Sequence, residues 1–228
     1  MRAIEINNLN TSEFWDKLNK RNLFHKIDNP IADHRTNTVI SLVSKGNNRI
    51  LNLGFGSASL EEKLYEYENV DLVGLDISGK SVNIAKRRFK RWNFMKGDVV
   101  NLPKSLNNFD DVIMLEVLEH IQPSKTFIVL KSINKLLKEK GRLILSVPIN
   151  EGLQDMIKRG ENPNAHVRLY THNILKAELN TSGFKIIKTI DLYAFRKNYN
   201  IKTLVMHIFG SIIKTIQPNN IICVARKI

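Results

Sequence analysis

From residue 49 to residue 193, apolar runs of strand length alternate with helical stretches, and that alternation constrains the fold more than any other feature. The runs "RILNLG", "VDLVGLD", "NFMKGD", "FDDVIML" and "GRLILSVP" are predicted strands, and "FKIIKTIDLY" and "IICVARK" complete a set of seven. Helices are predicted between them over "ASLEEKLYEY", Ser78 to about Lys90, "PSKTFIVLKSINKLLKEK" and "THNILKAELNTSG". In the last of these, Thr171 is the expected N-cap and Gly183 the stop. Alternation of this kind gives an α/β fold with a doubly wound, mostly parallel seven-stranded sheet and helices on both faces. Ligands bind such sheets beyond the carboxyl ends of the strands, at the switch point.

Two further helices are expected ahead of the first strand. One starts near Thr11 or Ser12 with Phe14, Trp15, Leu18 and Leu23, and the other runs from Ile31 to Val43 behind Pro30. No internal repeat or low-complexity linker interrupts the chain. The expectation is therefore a single domain over 1–228: an N-terminal helical cap (1–47), a ligand-binding core (48–193), an insertion (194–219) and a last strand (220–228). Within the insertion, Ile201, Leu204, Val205, Ile208, Ile212, Ile213 and Ile216 fall on one helical face, and Gly210 allows a bend. Packing on the domain's own core is the first reading of that stripe. An acceptor lid, a dimer face or a contact with a membrane surface are the others.

The single cysteine, Cys223, excludes an internal disulfide framework and a cysteine-rich zinc site. The first twenty residues contain no continuous apolar segment of the signal-peptide kind, and no stretch approaches the length of a membrane span, so the expected location is cytoplasmic. Thirty-five basic against 22 acidic side chains leave a net charge of +13. That excess suits nucleic acid, an anionic membrane surface or an acidic glycan, or else is a lysine-rich solvated face. In the basic run "KRRFKRW", Phe89 and Trp92 are expected to be core anchors.

The chemistry begins at "ILNLGFGSASL", residues 50–60. Gly54 and Gly56 permit a tight turn and close approach of a ligand to the backbone. About twenty residues on, Asp76 ends the second strand, where a carboxylate can accept ribose hydroxyls or simply cap the turn before "ISGKS". To this point a nicotinamide oxidoreductase and a methyltransferase are alike. Then "KGDVVNLP" sets Asp98 just after the third strand, where it either meets a base or closes a turn. "FDDVIMLEVLEHI" follows.

Together, "LNLGFGS", "LVGLD", "GDVVNLP" and "FDDVIMLEVLEHI" resemble the class I S-adenosylmethionine-dependent methyltransferases. The likeness is greatest to the group of ubiquinone-type O-methyltransferases and related small-molecule enzymes. The later "LLKEKGRLILSVP" and "HVRLYTHNILKAELNTSGFKIIK" extend the resemblance to about residues 48–193. It implies a Rossmann-like methyltransferase fold that binds S-adenosylmethionine and releases S-adenosylhomocysteine. By position, Asn52, Gly54 and Gly56 would face the methionine and ribose, and Asp76 with Ile77 the ribose. Asp98 would take the adenine amino group, Val99 would pack near the ring, and Leu115 and Glu116 would line the sulfonium side. The loop departs from the family at Asn52, where an acid is usual, and at Ala58, where glycine is common. The resemblance implies methyl transfer to a small, lipid- or glycan-linked acceptor, at oxygen. An RNA acceptor and a non-catalytic binding protein are the alternatives.

In metal-dependent relatives the pattern E-x-x-E-H, here Glu116, Glu119 and His120, holds a divalent ion with a further histidine downstream, for which His166 is the candidate. Relatives without metal carry the same residues. Glu116, His120 and His166 are therefore catalytic candidates, with either imidazole as a metal-free base. His25, His34, His172 and His207 lack a partner pattern and are expected to be structural or exposed, although the resemblance implies that the segment before the glycine loop closes over the cofactor, where Arg35 or His34 would touch donor or acceptor.

Overall fold

The computed structural model describes residues 10–24, 30–44, 46–150, 153–160, 165–193, 199–209 and 216–228. Helix α1 (Ser12–Phe24) and helix α2 (Pro30–Leu42) precede the sheet. Thr11 caps α1, its Oγ1 accepting from the Phe14 N–H at 3.2 Å. There follow β1 (Asn48–Leu53), α3 (Ser59–Leu64), β2 (Val70–Asp76), α4 (Gly79–Arg88), β3 (Asn93–Lys96) and β4 (Phe109–Leu115). A single 3₁₀ turn (Leu118–His120) leads to α5 (Pro123–Leu136), β5 (Leu137–Pro148), α6 (Leu153–Lys158) and α7 (His172–Thr181). The chain ends with β6 (Phe184–Leu192), α8 (Tyr199–Phe209) and β7 (Asn220–Lys227).

The seven strands form one sheet in the order β3-β2-β1-β4-β5-β7-β6. β1, β2, β3, β4 and β5 pair in parallel, while β7 runs antiparallel to both β5 and β6. The order reverses between β1 and β4, and that switch point opens a crevice at the carboxyl edge.

Alternate residues of each strand serve opposite faces. Leu51, Leu53, Val112, Met114 and Leu145 pack with Val129, Ile133 and Leu175 of α5 and α7 on one side. Ile50, Leu72, Ile113 and Ile144 meet Val39, Leu64, Val82 and Ala85 on the other. Phe89 and Trp92 are buried in this second cluster, as expected of anchors, and the Trp92 indole N–H donates to the Val70 carbonyl at 3.0 Å. At the opposite edge from the crevice, fully buried Asp111 accepts two hydrogen bonds from Arg142, both 2.8 Å, and one from Asn48 at 2.8 Å. A bidentate pair so enclosed fixes the register of β4 on β5.

The expected cap at Thr171 holds, its side chain accepting from the Ile174 N–H, and Ser78, expected as the first residue of its helix, caps α4 by accepting from the Ser81 N–H. Gly183 closes α7 at φ +83°. Two expectations need correction. The pattern "PSKTFIVLKSINKLLKEK" predicts a helix as far as Lys140, but α5 ends at Leu136 because Leu137 is buried opposite Phe109 and Lys138 bonds Asp110 at 2.8 Å. The apolar stripe of the insertion does not pack on the core. Ile201, Leu204, Val205, Ile208 and Ile216 are exposed, while Tyr199 and Met206 turn inward. Ile212, Ile213, Gly210 and His25 lie outside the described residues.

Candidate functional site

Above the switch point lies a cavity of about 620 Å³, within the range of small-molecule sites. Asn52, Gly54, Gly56, Asp76, Ile77, Asp98, Val99 and Leu115 all line it, as do Glu116 and His120. The turn that bends β1 into α3 depends on glycine. Gly54 has φ +73°, and a Cβ there would lie 2.5 Å from Cγ2 of Val117. At Gly56, φ is +55° and the Cβ direction is open space. Ala58 also sits left-handed, at φ 61°, where glycine would carry no strain.

Asp76 is buried at the floor of the cavity. Its Oδ2 accepts from the Gly56 N–H and its Oδ1 from the Ser78 N–H, both at 2.8 Å. Burial raises its pKa, the two N–H groups counter that, and the nearby Asp16 charge adds to it. Each oxygen keeps a further acceptor position. Asp98 is exposed and its Oδ1 accepts from the Val100 N–H at 2.9 Å, as the turn reading expects, while the residue also lines the cavity.

Asn52 is buried, and its amide donates to Oε1 of Glu61 at 2.6 Å. Glu61 is itself fully buried on α3, and burial raises its carboxyl pKa to about 7 despite the Asn52 bond, with the Asp76 charge acting in the same direction. Glu61 escaped the sequence reading because "LEEKL" looks like any amphipathic turn. The carboxylate that position 52 lacks arrives one turn into the following helix.

α1 and the chain before it wall the crevice. Asn10 donates to the carbonyls of Ala165 (3.0 Å) and His120 (3.2 Å), and Ser12 to the carbonyl of Ile77 (3.0 Å). The Asp16 carboxylate accepts from Ser78 Oγ at 2.6 Å, and Trp15 sets its ring edge-on to His120, centroids 4.9 Å apart. Asn10, Trp15 and Asp16 carry no motif, so only the folded chain reveals them.

The E-x-x-E-H residues part company. Glu116, at φ 55°, accepts from Ser146 Oγ (2.7 Å) and Asn220 Nδ2 (2.8 Å) through Oε1, and pairs with Arg35 through Oε2 at 3.3 Å. Glu119, His120 and His166 instead cluster, with ligand atoms within 4.8 Å of one another. Oε1 of Glu119, fully buried, lies 3.8 Å from His120 Nε2 and 3.9 Å from His166 Nε2. Glu116 is therefore not a member of the candidate metal set, because its carboxylate is engaged elsewhere. Burial, reinforced by the His166 charge, lowers the pKa of His120 to about 4. A neutral ring that donates Nδ1–H to the Ala165 carbonyl (3.3 Å) leaves Nε2 as the acceptor. Arg35 lines the cavity, whereas His34 bonds the Tyr199 hydroxyl at 3.0 Å, and His172 pairs with Asp191 at the surface.

Comparison with known proteins agrees with this geometry. A methyltransferase domain family matches residues 50–141. Demethylmenaquinone methyltransferase of Thermotoga maritima is 29% identical over 109 residues, 47% of this chain and 47% of that protein. Ubiquinone biosynthesis O-methyltransferase of Coxiella burnetii is 27% identical over 138 residues, 59% of this chain and 56% of that one. The chain thus spans about half the length of these curated relatives. Among solved structures, the N-methyltransferase NodS from Bradyrhizobium japonicum, in complex with S-adenosylhomocysteine, superimposes with a TM-score of 0.67 at 15% identity, covering 93% of this chain and 98% of NodS. The [4+2]-cyclase SpnF gives 0.64 at 19% identity, covering 86% and 80%. At such identities these two structures speak for the fold alone.

Proposed function

Because the chain belongs to the class I S-adenosylmethionine-dependent methyltransferases, we propose that it methylates a small, lipid-linked acceptor of quinone type at a hydroxyl oxygen. The observation that carries this reading is one cavity lined by the glycine turn, Asp76 and Asp98 together with Glu116 and His120. The names of the curated relatives favour the quinone class.

The residues suit the donor. The open space over Gly56 leaves the backbone approachable, and the spare acceptor positions of Asp76 suit a pair of ribose hydroxyls. Asp98 has an oxygen left for the adenine amino group. Asn52 lines the cavity with its amide held by Glu61, which leaves its carbonyl oxygen as the group that would meet the ammonium end. S-Adenosylmethionine, when bound, would supply a methyl group already activated on sulfur: the C–O bond forms as the C–S bond breaks, S-adenosylhomocysteine leaves, and the hydroxyl proton passes to solvent. The protein's task is then mainly alignment and exclusion of water. α1 and Trp15 exclude water from that side, and His120 Nε2 is an acceptor that can orient a hydroxyl. With a pKa of about 4 it is too weak a base to keep the proton at neutral pH.

A metal-assisted form of the same step has its own observation, the Glu119, His120 and His166 cluster. One carboxylate and two imidazoles suit zinc or manganese, and an ion there would acidify the acceptor hydroxyl.

Calorimetric titration with S-adenosylmethionine and S-adenosylhomocysteine, with Asp76→Ala as control, tests the donor site. Micromolar binding lost in the variant supports it, and no binding by a folded protein ends the reading. Transfer of labelled methyl to catechol and quinol acceptors, with and without chelator, then tests the acceptor and the metal.

A further inference from the structure

Helix α8 carries its apolar stripe on the wrong side for core packing. Ile201, Leu204, Val205, Ile208 and Phe209 follow the i, i+3, i+4, i+7, i+8 spacing of one helical face, yet every one of them is between 40% and 68% exposed. The helix is anchored instead through Tyr199 and Met206, both buried. A contiguous outward stripe of this kind marks an interaction surface.

The charge around the stripe selects its partner. From Leu192 to the last residue the chain has no acidic side chain, and the insertion alone contributes Arg196, Lys197, Lys202 and Lys214. A second copy of the chain seated on the same face would bring together two copies of a segment whose sequence holds cations and no acid, since a two-fold contact is self-complementary. An eleven-residue helix, about 16 Å long and 10 Å wide, also falls well short of the roughly 800 Å² per partner that a stable dimer buries. An apolar helical face in a segment whose sequence holds lysine and arginine and no acid fits the boundary of an anionic bilayer, where the stripe enters the acyl region and cations such as Lys202 meet headgroups. The position fits as well. The Tyr199 hydroxyl bonds His34 of α2 at 3.0 Å, and the next residue, Arg35, lines the cavity.

We infer that α8 docks the protein on an anionic lipid surface, with its stripe in the interface and the mouth of the cavity beside the membrane. The inference deepens the proposed function, since it gives a lipid-linked acceptor its route, and it rests on that reading for its purpose though not for its geometry.

Flotation of the full chain with vesicles of phosphatidylcholine alone, or of phosphatidylcholine with phosphatidylglycerol, tests it. The wild type should float with the anionic vesicles, less so as salt rises, and not with the neutral ones. Ile201→Glu and Ile208→Glu should each weaken binding about tenfold, the effect of one buried isoleucine, and Lys202→Glu should weaken it in low salt. S-Adenosylmethionine titration of each variant reports the donor site separately. Failure to float, equal retention of Ile208→Glu, equal binding to neutral vesicles, or a solution dimer dissolved by Ile208→Glu would overturn the docking. Any of these with donor binding intact leaves methyl transfer standing, while flotation without donor binding removes methyl transfer and keeps the docking.

Discussion

The side-chain amide of Asn52 donates to the buried carboxyl of Glu61 at 2.6 Å, so the glycine turn rests on an acid that its own strand does not supply. The pair makes stability depend on pH. Glu61 rises from 4.5 to about 7 on folding. Between these values the native state holds more protons than the unfolded one, so the carboxyl's contribution is complete below about pH 4.5 and is lost as pH climbs through about 7. The upper bound is about 3 kcal/mol. Melting curves from pH 5 to pH 8 should show Glu61→Gln losing less stability with rising pH than the wild type. Parallel curves would mean that Glu61 is ionised or solvated throughout.

At Gly54 two costs coincide, a left-handed φ of +73° and a Cβ that would meet Val117 Cγ2 at 2.5 Å. Gly54→Ala should lose about 2–3 kcal/mol by urea unfolding, from the backbone angle and from overpacking together. Val117→Ala in the same chain should recover the steric part and leave the angular part. A double-mutant cycle with no coupling would show that the clash relaxes by other means.

Much of this was legible before folding was considered, and for identifiable reasons. The parallel sheet follows from strands such as "DLVGL" and "RLIL", apolar on both faces because helices cover both. The cap at Thr171 is local chemistry, and the residues expected to face the donor sit at strand ends or just beyond them, so one topology gathers them on one edge. The sequence could not show which partner each carboxylate would choose. Glu116 and Glu119 are three residues apart, yet a left-handed backbone at Glu116 sends it to Arg35, Ser146 and Asn220, leaving Glu119 with the histidines. Asn10, Trp15 and Glu61 reach the site through contacts distant in sequence or through burial. The α8 stripe misleads because periodicity reports a face and not what covers it.

Ala58 holds the residue type that this turn suits least, at φ 61° with its methyl buried. Removing a buried methyl and adding chain entropy would ordinarily cost Ala58→Gly about 1.5 kcal/mol. Release of the left-handed strain returns about 1–2 kcal/mol. The expected result is near-neutral stability by urea unfolding, with donor affinity kept or improved. A loss close to the full 1.5 kcal/mol would indicate that the loop carries no strain at this position.

Arg35 joins α2 to the end of β4 through Glu116 at 3.3 Å, and it does so from the lining of the cavity. Both side chains are partly exposed, so the pair should contribute no more than about 1 kcal/mol. Its larger effect should be positional. Arg35→Met removes the charge and keeps the stem, which takes away the ion pair and leaves the His34–Tyr199 hydrogen bond. Hydrogen exchange should then speed up across 30–42 while the amides of β1 and β4 stay protected, because the strands are held by their own ladders. Glu116→Gln should loosen the same helix without disturbing β5, since a Gln carbonyl can still accept from Ser146 and Asn220. Unchanged exchange over α2 in both variants would assign its position to packing on α3 and not to the ion pair.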